Sequence, residues 1–261
     1  MEAALWVAKT GLDAQQTRMT VIANNLANVN TTGFKRDRAT FEDLLYQNVK
    51  QGGAQTSADT AAPTGLLLGT GTRIVATEKL HAQGNIIQTQ NAFDVAISGE
   101  GFFQILQPDG TLAYSRDGGF KISAEGVLVN SSGYRLQPEL AIPQNAQTVT
   151  IGADGTVSIQ TFGEAAAQTI GQIQVARFLN PSGLQAIGEN LFRETSSSGP
   201  PQVGIPTQQG NGQLIQGALE SSNVNVVEEM VNMIETQRAY EVNSKAIDSV
   251  NSMLQYANNN L

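Results

Sequence analysis

The chain has 261 residues, 40% of them apolar, with 23 acidic against 15 basic side chains and a formal net charge of −8. That length and apolar content can fill the cores of two or three small domains, while the acidic balance argues against binding nucleic acid or an anionic lipid surface. The absence of cysteine excludes disulfides and thiolate metal or redox sites, and the apolar runs are too short for a bilayer span, so no stable membrane insertion is expected.

Residues 1–7 (MEAALWV) carry neither a basic leader nor a long apolar run, so no cleaved signal peptide is expected. Leu5, Leu12, Met19 and Leu26 recur every seventh position, and Ala8, Gln15, Ile22 and Val29 follow each by three. A strict seven-residue period draws a narrow seam along a helix, the mark of coiled-coil pairing. The first helix is expected over roughly residues 2–28, about 40 Å at 1.5 Å per residue. Its interior Gly11 costs about 1 kcal/mol relative to alanine. It stops in Asn28-Val29-Asn30-Thr31-Thr32-Gly33, residues that favour turns and left-handed backbone.

All eight prolines lie between Pro63 and Pro206, so helices are confined to the ends of the chain. Segments 47–72 and 194–213, rich in Gly, Gln, Ser, Thr and Pro, read as long loops or extended arms. Between them the period falls to two: Val95 and Ile97, Phe103 and Ile105, Val127 and Val129. Turns at Pro108-Asp109-Gly110, Ala124-Glu125-Gly126, Ser131-Ser132-Gly133 and Ala153-Asp154-Gly155 separate short antiparallel strands.

A second helix is expected from a cap at Asn225, with Glu228 at the capping-box position, to about Asn258. Val226, Met233, Tyr240, Ile247 and Leu254 form its seam, with Met230, Gln237, Ser244 and Asn251 between them. Glu235, Arg238, Glu241, Lys245 and Asp248 alternate in sign on the opposite, wet face. The polar seam positions Gln15, Gln237, Ser244 and Asn251 are candidates for setting register. The fold class is α+β. Terminal helices pair in a discontinuous coiled-coil domain (1–46 and 214–261), joined through an arm (47–72) to a β-rich domain (73–213).

Nothing in the chain assembles a catalytic, metal or cofactor site. His81 is the only histidine; without a Gly-x-Ser-x-Gly elbow it reads as a packing or surface residue. Asp109, Asp117 and Asp154 sit beside glycines but lack the alternating acidic ligands of a calcium loop, and read as turn aspartates. Gly69-Thr70-Gly71 and Gly99-Glu100-Gly101 lack the remainder of a phosphate loop. A secreted hydrolase or carbohydrate-binding β-domain is the alternative of a different class.

Residues 23–35 (ANNLANVNTTGFK), with Asn24, Asn25, Asn28, Gly33 and Phe34, resemble the N-terminal signature of bacterial flagellar rod and hook proteins. Residues 220–230 (ESSNVNVVEEM), followed by Gln237-Arg238-Ala239-Tyr240-Glu241, resemble their C-terminal signature. Gly101-Phe102-Phe103, Tyr114-Ser115-Arg116-Asp117-Gly118 and Gly133-Tyr134-Arg135-Leu136-Gln137 match the β-core. Leu45-Tyr46-Gln47, Gly52, Ala54-Gln55, Pro63 and Gly69-Thr70-Gly71 resemble a segment that distinguishes the rod branch from the hook.

The resemblance implies a non-enzymatic subunit of a hollow helical tube, with terminal helices inside and the β-domain outside. The implied partners are further copies of the chain, proximal rod proteins, the hook or its junction, the P- and L-ring bushings, the rod cap and the type III export apparatus. The implied location is the periplasm-spanning rod of the basal body, reached without cleavage. Hook and proximal rod proteins are the alternatives within the family. Phe41-Glu42-Asp43-Leu44-Leu45 also resembles the Phe-x-x-x-apolar element that engages the export gate, with Phe41 and Leu45 as its contacts; an ordinary amphipathic turn is the competing reading.

Overall fold

A computed structural model describes residues 2–52, 55–57, 60–61, 64–162 and 166–259; Ala54 and Pro63 of the rod-branch segment lie outside the described residues. The chain divides into two units, one of residues 1–26, 37–78 and 225–261, the other of 27–36 and 79–224. Compared with the expected boundaries, residues 214–224 cluster with the β-rich unit and residues 47–72 with the helices.

The first unit holds helix α1, Glu2–Ala27, and helix α2, Val226–Asn259. The start of α2 follows from its cap: the Asn225 Oδ1 accepts from the amides of Val227 (3.0 Å) and Glu228 (3.4 Å), satisfying two of the four donors a helix start leaves free. Two contacts tie the helices together. A side chain at Gly11 would meet the Asn243 amide at 3.2 Å, and the Asn25 amide donates to the Glu229 carboxylate at 3.3 Å. Advancing 14 residues along α1 while retreating 14 along α2 keeps both in step, an antiparallel relation.

The strand Asp37–Asp43 pairs with Thr72–Lys79, which belongs to the same unit up to Glu78. Where described, the 47–72 segment is ladder rather than loop: Gln47–Lys50 pairs with Leu66–Leu68, and Gln55–Ser57 with Thr60–Ala61. Polar composition hid these strands; in the pair Gln47–Lys50 and Leu66–Leu68, Val49, Leu66, Leu67 and Leu68 are exposed, so that ribbon covers no core.

The second unit is built on a nine-stranded sheet. From Lys121–Ile122 it runs through Leu128–Val129, Arg135–Gln137, Phe102–Leu106, Leu112–Ser115 and Leu191–Arg193 to Gln185–Gly188. Val175–Arg177 also pairs with Phe102–Leu106, and Gln202–Gly204 with Val175–Arg177, so the expected loop at 194–213 contains a strand. A three-stranded sheet begins with the hairpin of Ala146–Ile151 and Thr156–Thr161, paired Ile151 to Val157 and Val149 to Ile159.

Phe102–Leu106 departs from simple alternation because both its faces are covered. Phe103 and Ile105 enter the main core with Val95, Ile97, Leu128, Leu136, Val157 and Ile173. Phe102 joins a second cluster with Tyr114, Ala176, Phe178, Leu184 and Phe192. Strands Gln213–Gln216 and Ala218–Glu220 pair with Val95–Ser98 and Ile86–Gln88, so this unit closes only with sequence from near the second helix.

Candidate functional site

Three distant motifs converge inside the β-rich unit. Gly33 has φ +67°, and a side chain there would come within 2.7 Å of the Asp117 amide nitrogen. Only glycine accepts both the left-handed backbone and that approach. The turn it makes delivers Lys35 to the interior. The Lys35 ammonium donates to Glu220 Oε1 (2.6 Å) and to the Ala82 carbonyl (2.8 Å). Arg116 Nε donates to Glu220 Oε2 at 2.7 Å, and its terminal nitrogens donate to the carbonyls of Gly99 (2.8 Å), Gly101 (2.6 Å) and Ile97 (3.2 Å). The Gly84 amide completes the shell of Glu220 Oε1 at 2.8 Å.

All three charged side chains are essentially buried. Burial raises the Glu220 pKa, but the Arg116 guanidinium and then the Lys35 ammonium outweigh it, leaving the carboxyl below its ordinary value. Burial lowers Lys35, and Glu220 only partly restores it. The donors point at main-chain carbonyls and a single carboxylate, and no nucleophile is exposed among them. This constellation is a fastener: it joins the N-terminal motif (Lys35), the β-core motif (Arg116) and the C-terminal motif (Glu220).

Neighbouring residues extend it. Asn223 accepts from the Arg36 amide (2.7 Å) and donates to the carbonyls of Leu80 (2.8 Å) and Ala82 (3.0 Å). Thr32 donates to the Asp117 carboxylate, and the Asn190 amide donates to the Thr32 carbonyl. The Lys79 ammonium lies 4.9 Å from the centre of the Phe34 ring. Asn28 receives the Thr31 hydroxyl in the turn. His81 packs edge-on against Phe102 (5.5 Å) and Phe192 (5.4 Å), with both ring nitrogens buried. Burial, reinforced by Lys35, Lys79 and Arg116, lowers its pKa to about 4, so the ring is neutral at pH 7.

The turn aspartates serve their turns. Asp109 and Asp154 accept from the amide and hydroxyl of Thr111 and Thr156 respectively, and Asp117 accepts from the Gly119 amide.

On α1, Ile22 is buried, and Leu5, Leu12, Gln15, Met19 and Leu26 are half-buried; the side-chain oxygen of Gln15 is buried without a partner among the described residues. On α2, Met233, Ser244, Ile247 and Leu254 are half-buried, while Val226, Met230, Gln237, Tyr240 and Asn251 are exposed. The most covered positions of α2 are Glu229 and Thr236, with Asn243 one further turn-pair along. Heptad counting on apolar residues passed over them because they are polar; the signal was Gly11, a small residue in a helix that otherwise avoids glycine. Asn25 receives the Asp37 amide (2.8 Å) and donates to the Asp37 carbonyl (2.9 Å), and Asn24 donates to the Asp37 carboxylate (3.2 Å). Phe41 is a half-buried strand residue, and Leu45, 90% exposed, lies just past that strand.

Comparison with known proteins shows the family. Residues 5–35 match the family described as flagella basal body rod protein, residues 96–159 the D1 domain of flagellar hook protein FlgE/F/G, and residues 215–260 the C-terminal region of flagellar basal body rod FlgEFG protein. The chain is 54% identical to the flagellar basal-body rod protein FlgG of Buchnera aphidicola subsp. Schizaphis graminum, covering 97% of each. The chain belongs to the flagellar rod and hook protein family. In Caulobacter vibrioides it is 46% identical to the protein named FlgG (97% of each chain) and 35% identical to the one named FlgF (95% of this chain, 94% of the other). It is a structural protein of the flagellar basal-body rod and not an enzyme, which sets aside the hydrolase reading. No described helix is long and apolar enough to cross a membrane.

Proposed function

We propose that the chain is a subunit of the distal rod, polymerising helically into a straight hollow shaft that transmits torque to the hook. Within one subunit α1 and α2 pair antiparallel as a coiled coil lining the tube, and the β-rich unit forms its outer layer. The observation that carries this reading is the division of α2 into two rows. One row (Glu229, Met233, Thr236, Asn243, Ile247) is covered or half-covered. A second row (Val227, Met230, Val231, Ile234, Val242) is apolar and exposed, with Val227 at 70%. Exposed apolar surface of this extent marks an association site. A contact that repeats head to tail without closing gives an open filament.

The seam Leu5, Leu12, Met19, Ile22, Leu26, Val226, Met230, Met233, Tyr240, Ile247 and Leu254 is the proposed assembly interface. In the proposed account Gln15, Gln237, Ser244 and Asn251 set its register. Proximal rod proteins, the hook or its junction, the ring bushings, the rod cap and the export apparatus are the proposed partners. Export without cleavage to a periplasm-spanning rod, aided by Phe41 and Leu45 at the export gate, completes the proposal. The identity pattern in Caulobacter supports the FlgG-like rather than the FlgF-like branch. Val227→Asp combined with Ile234→Asp tests the central step. Sedimentation should show loss of polymer while the circular dichroism melt of the β-rich unit is unchanged; polymer at wild-type yield overturns the proposal.

A further inference from the structure

One stretch late in the chain, residues 212–224, binds several earlier parts of the β-rich unit to one another. Its strand Gln213–Gln216 is the ladder partner of Val95–Ser98, with Leu214 opposite Ile97 and Gln216 opposite Val95. Its strand Ala218–Glu220 is the ladder partner of Ile86–Gln88. Each pair is a two-stranded sheet of its own among the described residues, so Val95–Ser98 and Ile86–Gln88 have no strand partner until this stretch arrives. Side chains add cross-links. The Gln216 amide donates to the carbonyls of Ala92 (2.9 Å) and Val149 (2.8 Å), and its oxygen accepts from the Ile151 amide (3.1 Å). The Leu214 amide donates to the Ala153 carbonyl (3.0 Å). These bonds fasten the hairpin that begins at Ala146 to the Val95–Ser98 ladder. At the other end of the stretch, Glu220 offers its main-chain carbonyl to the Gly33 amide (2.8 Å) and its carboxylate to Lys35 and Arg116.

Without residues 212–224 the remaining strands face two penalties. Val95 and Ile97, wholly buried in the main core, lie on a strand whose ladder-side backbone groups would be unpaired there, and buried backbone groups require partners. Lys35 and Arg116 would enter a desolvated interior without the carboxylate between them, and an unpaired buried charge is among the most destabilising features a fold can carry. Leu214 and Ala218 are themselves buried, so their absence also leaves the core open.

Sequence order gives this dependence a direction. Lys35 and Glu220 are 185 positions apart, and contacts of such separation cost loop-closure entropy before they stabilise anything. A chain is synthesised from its N-terminus. The stretch that completes the β-rich unit therefore emerges after all the other strands of that unit, with α2 directly behind it.

We propose that residues 212–224 are a folding latch: the β-rich unit stays open until they dock, and closes together with them in one step. The latch is a property of the single chain and does not depend on polymerisation; its use, keeping the chain open for passage through an export channel, rests on the proposed function. The test follows full-length protein refolding from urea by pulsed hydrogen exchange and mass spectrometry. The amides of Phe102–Leu106 and Leu112–Ser115 should gain protection in the same kinetic phase as those of Gln213–Gln216 and Ala218–Glu220. Central strands protected in an earlier phase, while residues 213–220 still exchange, overturn the latch. Glu220→Gln should slow refolding at least about tenfold rather than only speed unfolding. Gln216→Ala leaves the ion triad intact and serves where Glu220→Gln does not fold; it should slow refolding at least about threefold. Refolding of Gln216→Ala at the wild-type rate overturns the latch and leaves the rod reading standing. A wild-type chain that refolds in one phase but never forms tubes supports the latch and overturns the rod reading.

Discussion

Glu220→Gln isolates what the buried fastener contributes. The substitution keeps the shape and an acceptor for the Gly84 amide. It removes the only carboxylate between Lys35 and Arg116, two cations that are 1% and 5% exposed. Removing one partner of a buried ion pair typically costs about 3–5 kcal/mol, because the remaining charge stays desolvated and unpaired. Here two cations are left, although Arg116 retains three main-chain carbonyls and Lys35 one, which holds the expectation within that range. For a domain of this size each kcal/mol moves the melting temperature by about 2–4 °C, so the β-rich unit should melt on the order of 6–20 °C lower. Thermal and urea melts followed by circular dichroism read this out. The double variant Glu220→Gln, Lys35→Met should recover part of the loss, since it removes one orphaned charge. A single-variant loss below about 1 kcal/mol would refute the claim that this carboxylate holds the motifs together.

Other consequences follow from individual side chains. His81 has its folded pKa lowered from 6.5 to about 4, so the neutral ring is favoured when folded. The stability is fully present above the unfolded pKa and is lost as the pH falls from 6.5 through 4, by up to about 3 kcal/mol. His81→Leu should flatten that acid limb, and an unchanged pH–stability curve counts against it. Gly33→Ala places a methyl group against the Asp117 and Arg116 backbone and should cost at least about 1–3 kcal/mol, measured by urea titration. Asn25→Ala removes bonds to Glu229 and to both main-chain groups of Asp37 and should lower stability by about 1–3 kcal/mol, with urea unfolding as the check. Met233→Asp with Ile247→Asp places charge on the covered row of α2 and should abolish polymer while leaving the β-rich melt unchanged.

Much of this architecture was legible in the sequence, for physical reasons that also explain what was missed. Confinement of proline to the middle of the chain and the Asn225 cap located both helices to within a residue or two, because breakers and caps act locally. The Asp154-Gly155 hairpin was read correctly because two-residue periodicity flanked it on both sides. The strands Gln47–Lys50 and Leu66–Leu68 were missed since an exposed ribbon needs no apolar alternation. Lys35, Arg116 and Glu220 stood in three quoted motifs with no role assigned: an ion triad spanning 185 positions in sequence has no spacing to count. The covered row of α2 lies partly on Glu229, Thr236 and Asn243, where pairing follows the shape of Gly11 and the hydrogen bonds of Asn25 rather than hydrophobicity.

Electron microscopy of tubes grown from the full-length chain tests the central claim most directly. The account predicts straight, rigid, hollow tubes whose inner wall is the paired helices and whose outer wall is the β-rich unit. Curved and flexible tubes, closed rings, or protein that stays monomeric at every concentration would contradict it.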